Sequence, residues 1–464
     1  MKKHLSQMLW TLVATQLVTG LGAQIPVIGV PVPQLAGLDN QMTQLMQANS
    51  ISAGSLTVMR NGVIVFHHVY GWQDRLKQIP LRPDAVFRVA SCTKPFTAAA
   101  VRKLITDGQL SLSSRVFSLG VPGAGVLDHL PFGTPDSRLT SITVDHLLKH
   151  RGGWNRDIVG DLTYREKTIA TAMKISSPPG RDATVRYIMG QPLQHNPGST
   201  YSYSNIGFLL LGLIVEKVSG QDYATYLQQN VIGLDGSASS DWLLARTFVA
   251  DQDAREPFYD DPLSAANVFY PAYSDDATVE LPYGSFDMEA RTGQGRIAAH
   301  GFVVARYLNR FQVAGDAIGG PRPGPGGWRW NHTGSQTGTN SLARQRGDGI
   351  NYVVMFNKRP ASGTEYSSIM RSNLDAFFDA GGFTWPTMDI TQLRPAIPAV
   401  TITLQPPAII FTTEPGRHYQ CERSVDLIKW EPYLAPIVGT GNPASIAPQA
   451  SAARSFYRFV VKHW

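Results

Sequence analysis

The sequence predicts an α+β chain that ends in a small all-β module. Three observations lead there. Apolar or amphipathic helical stretches, Ile206 to Val218 and Thr364 to Ala380, accompany strand-like runs joined by tight turns between Gly327 and Asn357. The chain has 464 residues, 43% of them hydrophobic, which exceeds one ordinary domain and can bury a large core. Near Arg394 the composition shifts to spaced prolines and then to short alternating runs.

Taken in order, the chain opens with Lys2 and Lys3, an apolar stretch around Met8 to Val18, and Leu21-Gly22-Ala23 before Gln24. This has the layout of a signal peptide over residues 1–23 and predicts a periplasmic or secreted protein. The apolar stretch is too short for a membrane span, and no cysteine follows it to carry a lipid; a membrane anchor is the alternative reading. Ala85 to Val89 reads as a strand running into a helix start at Ser91. Asn196 to Ser204 is turn-rich and feeds the apolar helix that Gly220 ends. Gly220 to Gly293 is polar, Pro-rich and aromatic, the pattern of a long irregular insertion that walls a site. Its Tyr259, Phe269, Tyr270 and Tyr283 would either line an apolar pocket or tuck onto the core. Gly327 to Ser335, Asn340 to Gln345 and Asn351 to Asn357 read as strands, with Gly347-Asp348-Gly349 turning the last pair. Thr364 to Ala380 would pack on their sheet. Residues 24–394 then form one domain and 395–464 a separate module with strands at Val400 to Leu404, Ile409 to Thr413, His418 to Arg423 and Ser455 to Val461.

Ser91 and Lys94 make the only Ser-x-x-Lys in the chain. Residues i and i+3 of a helix share a face, so the amine sits beside the hydroxyl. A serine hydroxyl needs a neighbouring base to act as a nucleophile. A lysine can serve if burial, here by the apolar run Phe96 to Val101, lowers its pKa. Tyr203, at the mouth of the second helix, is a second proton carrier; beside an ammonium its phenol would ionise more easily. In the strand His332-Thr333-Gly334-Ser335, small residues allow close approach to a substrate. The Ser335 N–H could pair with that of Ser91 as an oxyanion hole. His332 would point near the substrate. Each motif alone also fits a plain reading: Ser91 as a helix cap, Tyr203 as a packing tyrosine, His332 as an exposed edge residue.

Together the three motifs Ser91/Lys94, Tyr203/Asn205 and His332/Thr333/Gly334, in this order, resemble the serine β-lactamase-related superfamily. The branch is that of class C β-lactamases, DD-carboxypeptidases and family VIII carboxylesterases. Asp145 to Gly153 and Asn196 to Gly220 resemble the same family in their surroundings. The resemblance spans about residues 35 to 385. It implies an antiparallel sheet flanked by helices, with a helical subdomain over residues 105 to 230. It further implies catalysis by Ser91, Lys94 and Tyr203, an oxyanion hole at Ser91 and Ser335, and substrate binding by Asn205, which would also hold Lys94, and by His332, Thr333 and Gly334. His332 departs from the lysine of typical β-lactamases.

The expected function is therefore a secreted serine hydrolase that cleaves small esters, in the manner of a family VIII carboxylesterase. The alternatives are a DD-carboxypeptidase or weak β-lactamase, and a non-catalytic binding or sensor protein that keeps the fold. No cofactor is expected: the eleven histidines form no spaced ligand set, and His67-His68 lies in a strand as structural residues. The net charge of +6 is scattered and gives no case for nucleic acid. Cys92 and Cys421, the only cysteines, are too differently placed to pair. The tail module weakly resembles the fibronectin-like modules of secreted bacterial proteins. Its candidate roles are attachment to a surface or polymer, or stabilisation.

Overall fold

A computed structural model describes residues 24–393, 399–404, 407–448 and 455–462. The signal-peptide reading and the boundary at Arg394 lie outside the described residues.

The core is a six-stranded antiparallel sheet of β1 (Val27–Gly29), β2 (Ala53–Arg60), β3 (Val63–Gly71), β4 (Arg329–Gln336), β5 (Thr339–Arg346) and β6 (Ile350–Phe356), in the order β1-β3-β2-β6-β5-β4. Its central strands are buried on both faces, which explains runs such as Val63 to Val69 that do not alternate with polar residues. The pleat sends neighbouring residues to opposite sides. Leu342, Tyr352 and Val354 pack with Met42, Met370 and Leu374, while Ala343, Val353 and Met355 join the core that holds Phe96, Val303 and Leu308. The first layer consists of α1 (Gly37–Ala48) and α5 (Tyr366–Ala380). The second contains α2 (Thr93–Thr106) and α4 (Gly301–Arg310). Both histidines of the His67-His68 pair are buried structural groups: His67 Nδ1 meets Thr57 Oγ1 at 2.7 Å and His68 Nδ1 meets Asp39 Oδ1 at 2.7 Å.

The region beside the sheet is helical only from Ser137 onward; residues 107–136 are loops with isolated bridges at Arg115–Thr143 and Phe117–Leu127. Its central helix is α3 (Asn205–Ser219), capped by Ser204 Oγ on the Gly207 N–H and ended by Gly220 at φ 69°. Of the two readings of the Gly220–Gly293 aromatics, Tyr259 and Tyr283 follow the one that tucks them onto the core. Tyr259 and Tyr283 are buried around Arg88, whose guanidinium lies 4.2 Å from the Tyr259 ring and 3.8 Å from the Glu256 carboxylate. They fasten the insertion to the strand before Ser91. Phe269 packs on Phe248, and Tyr270 is exposed.

The tail forms two small antiparallel sheets. One joins Val400–Leu404, Pro407–Phe411 and Ala444–Ile446; the other centres on His418–Ser424 and pairs it with Phe456–Lys462. Phe411, Tyr419 and Ile446 fill its own core. It meets the main sheet at β1, where the Gly29 N–H donates to the Gly416 carbonyl at 2.9 Å.

Candidate active site

Val89 to Thr93 turns sharply from a short strand (Phe87–Arg88) into α2. Ala90 to Cys92 forms a 3₁₀ turn, and Ala90 takes φ 45°, a left-handed conformation that costs a residue with a side chain about 1 kcal/mol or more. The helix proper begins at Thr93, so Ser91 stands just before it rather than inside it. β4 is the sheet edge that lies against this turn. Gly334 makes the approach possible: a Cβ there would fall 2.2 Å from the Val89 carbonyl oxygen and 3.1 Å from the Ala90 Cβ. Ser335 then lines the same cleft as Ser91.

Lys94 is fully buried, with Nζ 3.1 Å from Ser91 Oγ and 2.7 Å from the Gln294 carbonyl oxygen. Burial pushes its pKa down to about 7, although the Asp161 carboxylate favours the charged form. The Gln294 carbonyl reaches this point because residues 291–295 press onto α3. Gly293 has φ 84°, and a Cβ on it would meet the Phe208 carbonyl oxygen at 2.5 Å. The buried Arg291–Glu166 ion pair holds the start of that turn.

Tyr203 donates to Ser91 Oγ at 2.7 Å. Its ring stacks on His150 at 4.7 Å, with the Arg156 guanidinium 4.6 Å and Lys94 Nζ 4.9 Å from its centroid. Contrary to the expectation from the neighbouring lysine, the phenol is pushed well above its ordinary pKa: burial outweighs the hydrogen bond with Ser91 and the charge of Arg156. Burial also holds the His150 ring neutral, at about 3.

The cleft at Ser91 has a volume of about 280 Å³. One wall comes from the helical region (Arg156, Asp161, Tyr164, Asn205) and the other from β4 and its turn (Ser335, Gln336, Thr337). Asn205 does not hold Lys94: its Nδ2 donates to Asp161 Oδ2 at 2.5 Å, and Asp161 Oδ1 accepts from the Thr163 N–H at 3.0 Å. The third motif divides by strand alternation. Thr333 and Ser335 face outward, while His332 turns toward the Ser91 and Val313 backbones. Burial, and then Lys94, push the His332 ring down to about 3, so it carries no charge for a substrate carboxylate. Cys92 is a packing thiol, raised to about 11 by burial, with Sγ 3.4 Å from the His332 carbonyl oxygen.

The sequence motifs thus converge at one cleft, but Gln294, Asp161 and Arg156 carried no motif, and His150 lay in the family-like segment Asp145 to Gly153 with no role assigned to it. Gln294 had one signal, the flanking Gly293 and Gly295 at the end of the long insertion.

A serine whose hydroxyl meets both a buried lysine and a tyrosine hydroxyl, set on this sheet-and-helix frame, defines the serine β-lactamase class of fold. The β-lactamase family model matches residues 38–366, and the chain belongs to that family. Members of the family are serine hydrolases. Protein flp of Staphylococcus aureus (strain COL) is 32% identical over 190 residues, which are 41% of this chain and 34% of that protein. Esterase EstB of Burkholderia gladioli is 31% identical over 195 residues, 41% of this chain and 46% of the esterase. The chain therefore spans about a third to a half of the curated relatives it matches. Among solved structures, the octameric penicillin-binding protein homologue from Pyrococcus abyssi is similar in fold. Its TM-score is 0.53 at 19% identity, over 92% of this chain and 100% of that one.

Proposed function

We propose that this chain hydrolyses small ester bonds through an acyl-enzyme on Ser91. The observation that carries the reading is the contact of Ser91 Oγ with both Lys94 Nζ and the Tyr203 hydroxyl. Neutral Lys94 takes the Ser91 proton as Oγ attacks the carbonyl carbon. The N–H groups of Ser91 and Ser335 receive the oxyanion. Tyr203, kept as a neutral phenol, relays the proton from Lys94 to the leaving alkoxide. Water then attacks the acyl carbonyl, gives its proton to Lys94, and Ser91 leaves with a proton restored. Asn205 and Asp161 shape the wall opposite β4, and Asp161 supplies the counter-charge to protonated Lys94. Likeness to an esterase supports ester over amide bonds, as does a neutral His332 where a permanent cation would be needed to grip a β-lactam carboxylate.

A DD-peptidase is the second reading. It is favoured by Arg359, a cation lining the cleft that could take a peptide's terminal carboxylate, and by likeness to a penicillin-binding protein homologue. The basic start and apolar stretch of residues 1–23 support action outside the cytoplasm.

The test compares kcat/KM for nitrophenyl butyrate, nitrocefin and a D-Ala-D-Ala peptide on one preparation at neutral pH. The ester is expected to be cleaved far faster than nitrocefin. A nitrocefin value equal to or above the ester value overturns the esterase reading; cleavage of the peptide alone replaces it with the peptidase.

A further inference from the structure

Arg156 is an exposed residue that lines the cleft, and its guanidinium lies over the Tyr203 ring, 4.6 Å from the centroid. The backbone that carries it is pinned. The Asn155 N–H donates to Gln194 Oε1 at 2.9 Å, and Asn155 Oδ1 accepts from the Asp157 N–H at 2.9 Å, capping the turn that Arg156 opens. Just before it, the Gly153 carbonyl oxygen accepts from the Gln194 and His195 N–H groups, each at 3.0 Å. Among the described residues no carboxylate lies within 4.0 Å of this guanidinium. The other guanidinium of the cleft, Arg359, stands 4.0 Å from the Asp261 carboxylate.

Three nitrogen-bearing groups face the Tyr203 ring. His150 stacks on it as a neutral imidazole. Lys94 Nζ lies 4.9 Å from its centroid, and the third is Arg156. A permanent cation and a titrating amine thus share one ring and stand within about 10 Å of each other. At that range a fixed positive charge disfavours a second one. The remaining groups around Lys94 do not cancel this. Asp161, on the same wall as Arg156, draws the proton onto the amine. Cys92 on the adjoining turn stays a thiol, His332 on β4 stays neutral, and Tyr203 itself stays a phenol.

We infer that Arg156 is a positioning residue: laid on the Tyr203 ring, its guanidinium holds Ser91, Lys94 and Tyr203 in the state with a neutral amine, ready to take the serine proton. It offsets the pull of Asp161 on that proton. This rests on Lys94 as the base of the ester-hydrolase reading and not on which ester is cleaved.

The test follows the rate of Ser91 labelling by a fluorophosphonate across neutral pH, beside kcat/KM for nitrophenyl butyrate, in the wild type, Arg156→Gln and Arg156→Lys. The wild-type rate is expected to fall on the acid side of a limb at about 7. Arg156→Gln removes the charge, so Lys94 keeps its proton to higher pH. The limb should move up by about half to one pH unit, the effect of one unit charge over this distance at a wet protein surface. Arg156→Lys keeps a cation and should leave the limb within about 0.3 unit of the wild type. Because Arg156 is exposed, both substitutions leave the core intact. A limb that stays in place or moves down in Arg156→Gln overturns the inference, even if the rate drops at every pH, for that is what a merely structural role would give. An equal upward shift in Arg156→Lys overturns it too, by assigning the effect to lost packing. Labelling of Ser91 with no hydrolysis of the butyrate counts against the ester-hydrolase reading alone. Absence of labelling, or of the limb, in the wild type overturns Lys94 as the base and the inference with it.

Discussion

A lysine in water keeps its proton to about pH 10.4 and could not accept one from Ser91 at neutrality. Lys94 can, because it is wholly buried and its pKa falls to about 7. The sign follows: below pH 7 Lys94 is charged and kcat/KM should fall about tenfold per pH unit, while above it a plateau is reached. The His332 ring titrates far lower, at about 3. In a pH profile of His332→Asn the limb near 7 should stay in place; its disappearance would make His332 the base. Lys94→Ala and Tyr203→Phe should each lower kcat by about 10²–10⁴-fold, the usual effect of losing a proton-transfer group, measured on nitrophenyl butyrate. Helical spacing put Lys94 beside Ser91, and the order of the three motifs in the family resemblance brought Tyr203 to them. It could not tell which of the two partners is the base, because burial, which decides that, is a property of the folded core.

At the scale of elements, the site depends on how closely β4 meets the turn at Ala90-Ser91. Gly334 has no room for a side chain, since the Val89 carbonyl oxygen would lie 2.2 Å from its Cβ. Gly334→Val should push the edge strand off the Ser91 turn and lower kcat/KM by about 10²-fold or more, the effect of a displacement near 1 Å. A circular dichroism spectrum like that of the wild type would show that the loss is local. Full activity in this variant would mean that β4 does not form the oxyanion site. The third motif was legible as a strand from its small residues and the following turn. The outward facing of Thr333 and Ser335 was not, because the period of two leaves the choice of face to the packing partner. The insertion aromatics left two readings open for a similar reason: a buried arginine, Arg88, draws Tyr259 and Tyr283 into the core, and no sequence pattern announces that pairing. What lines the cleft from this insertion is Ser285 and Phe286.

For the whole molecule, the tail docks at β1 while the cleft opens at β4, the other edge of the same sheet. Their separation gives the tail no path to the chemistry except through the sheet. A chain ending at Leu393 should hydrolyse a small soluble ester with kcat/KM within about twofold of full length. Its melting temperature should fall by a few degrees, since Val438 and the Gly29–Gly416 contact are lost and the β1 edge is uncovered. A large loss of kcat/KM would show that the tail supports the catalytic frame. The change in composition near Arg394 and the alternating runs made the module visible in the sequence. Its seat on β1 was not visible, because that contact is carried by backbone atoms of two glycines, Gly29 and Gly416.

The covalent step is the claim on which the rest stands. Rapid quench of the protein during turnover of nitrophenyl butyrate, followed by peptide mass spectrometry, should find a butyryl group on the peptide that contains Ser91, with none on the same peptide of Ser91→Ala, which should be folded and inactive. Sustained turnover without that adduct, or an adduct on another residue, would contradict the account.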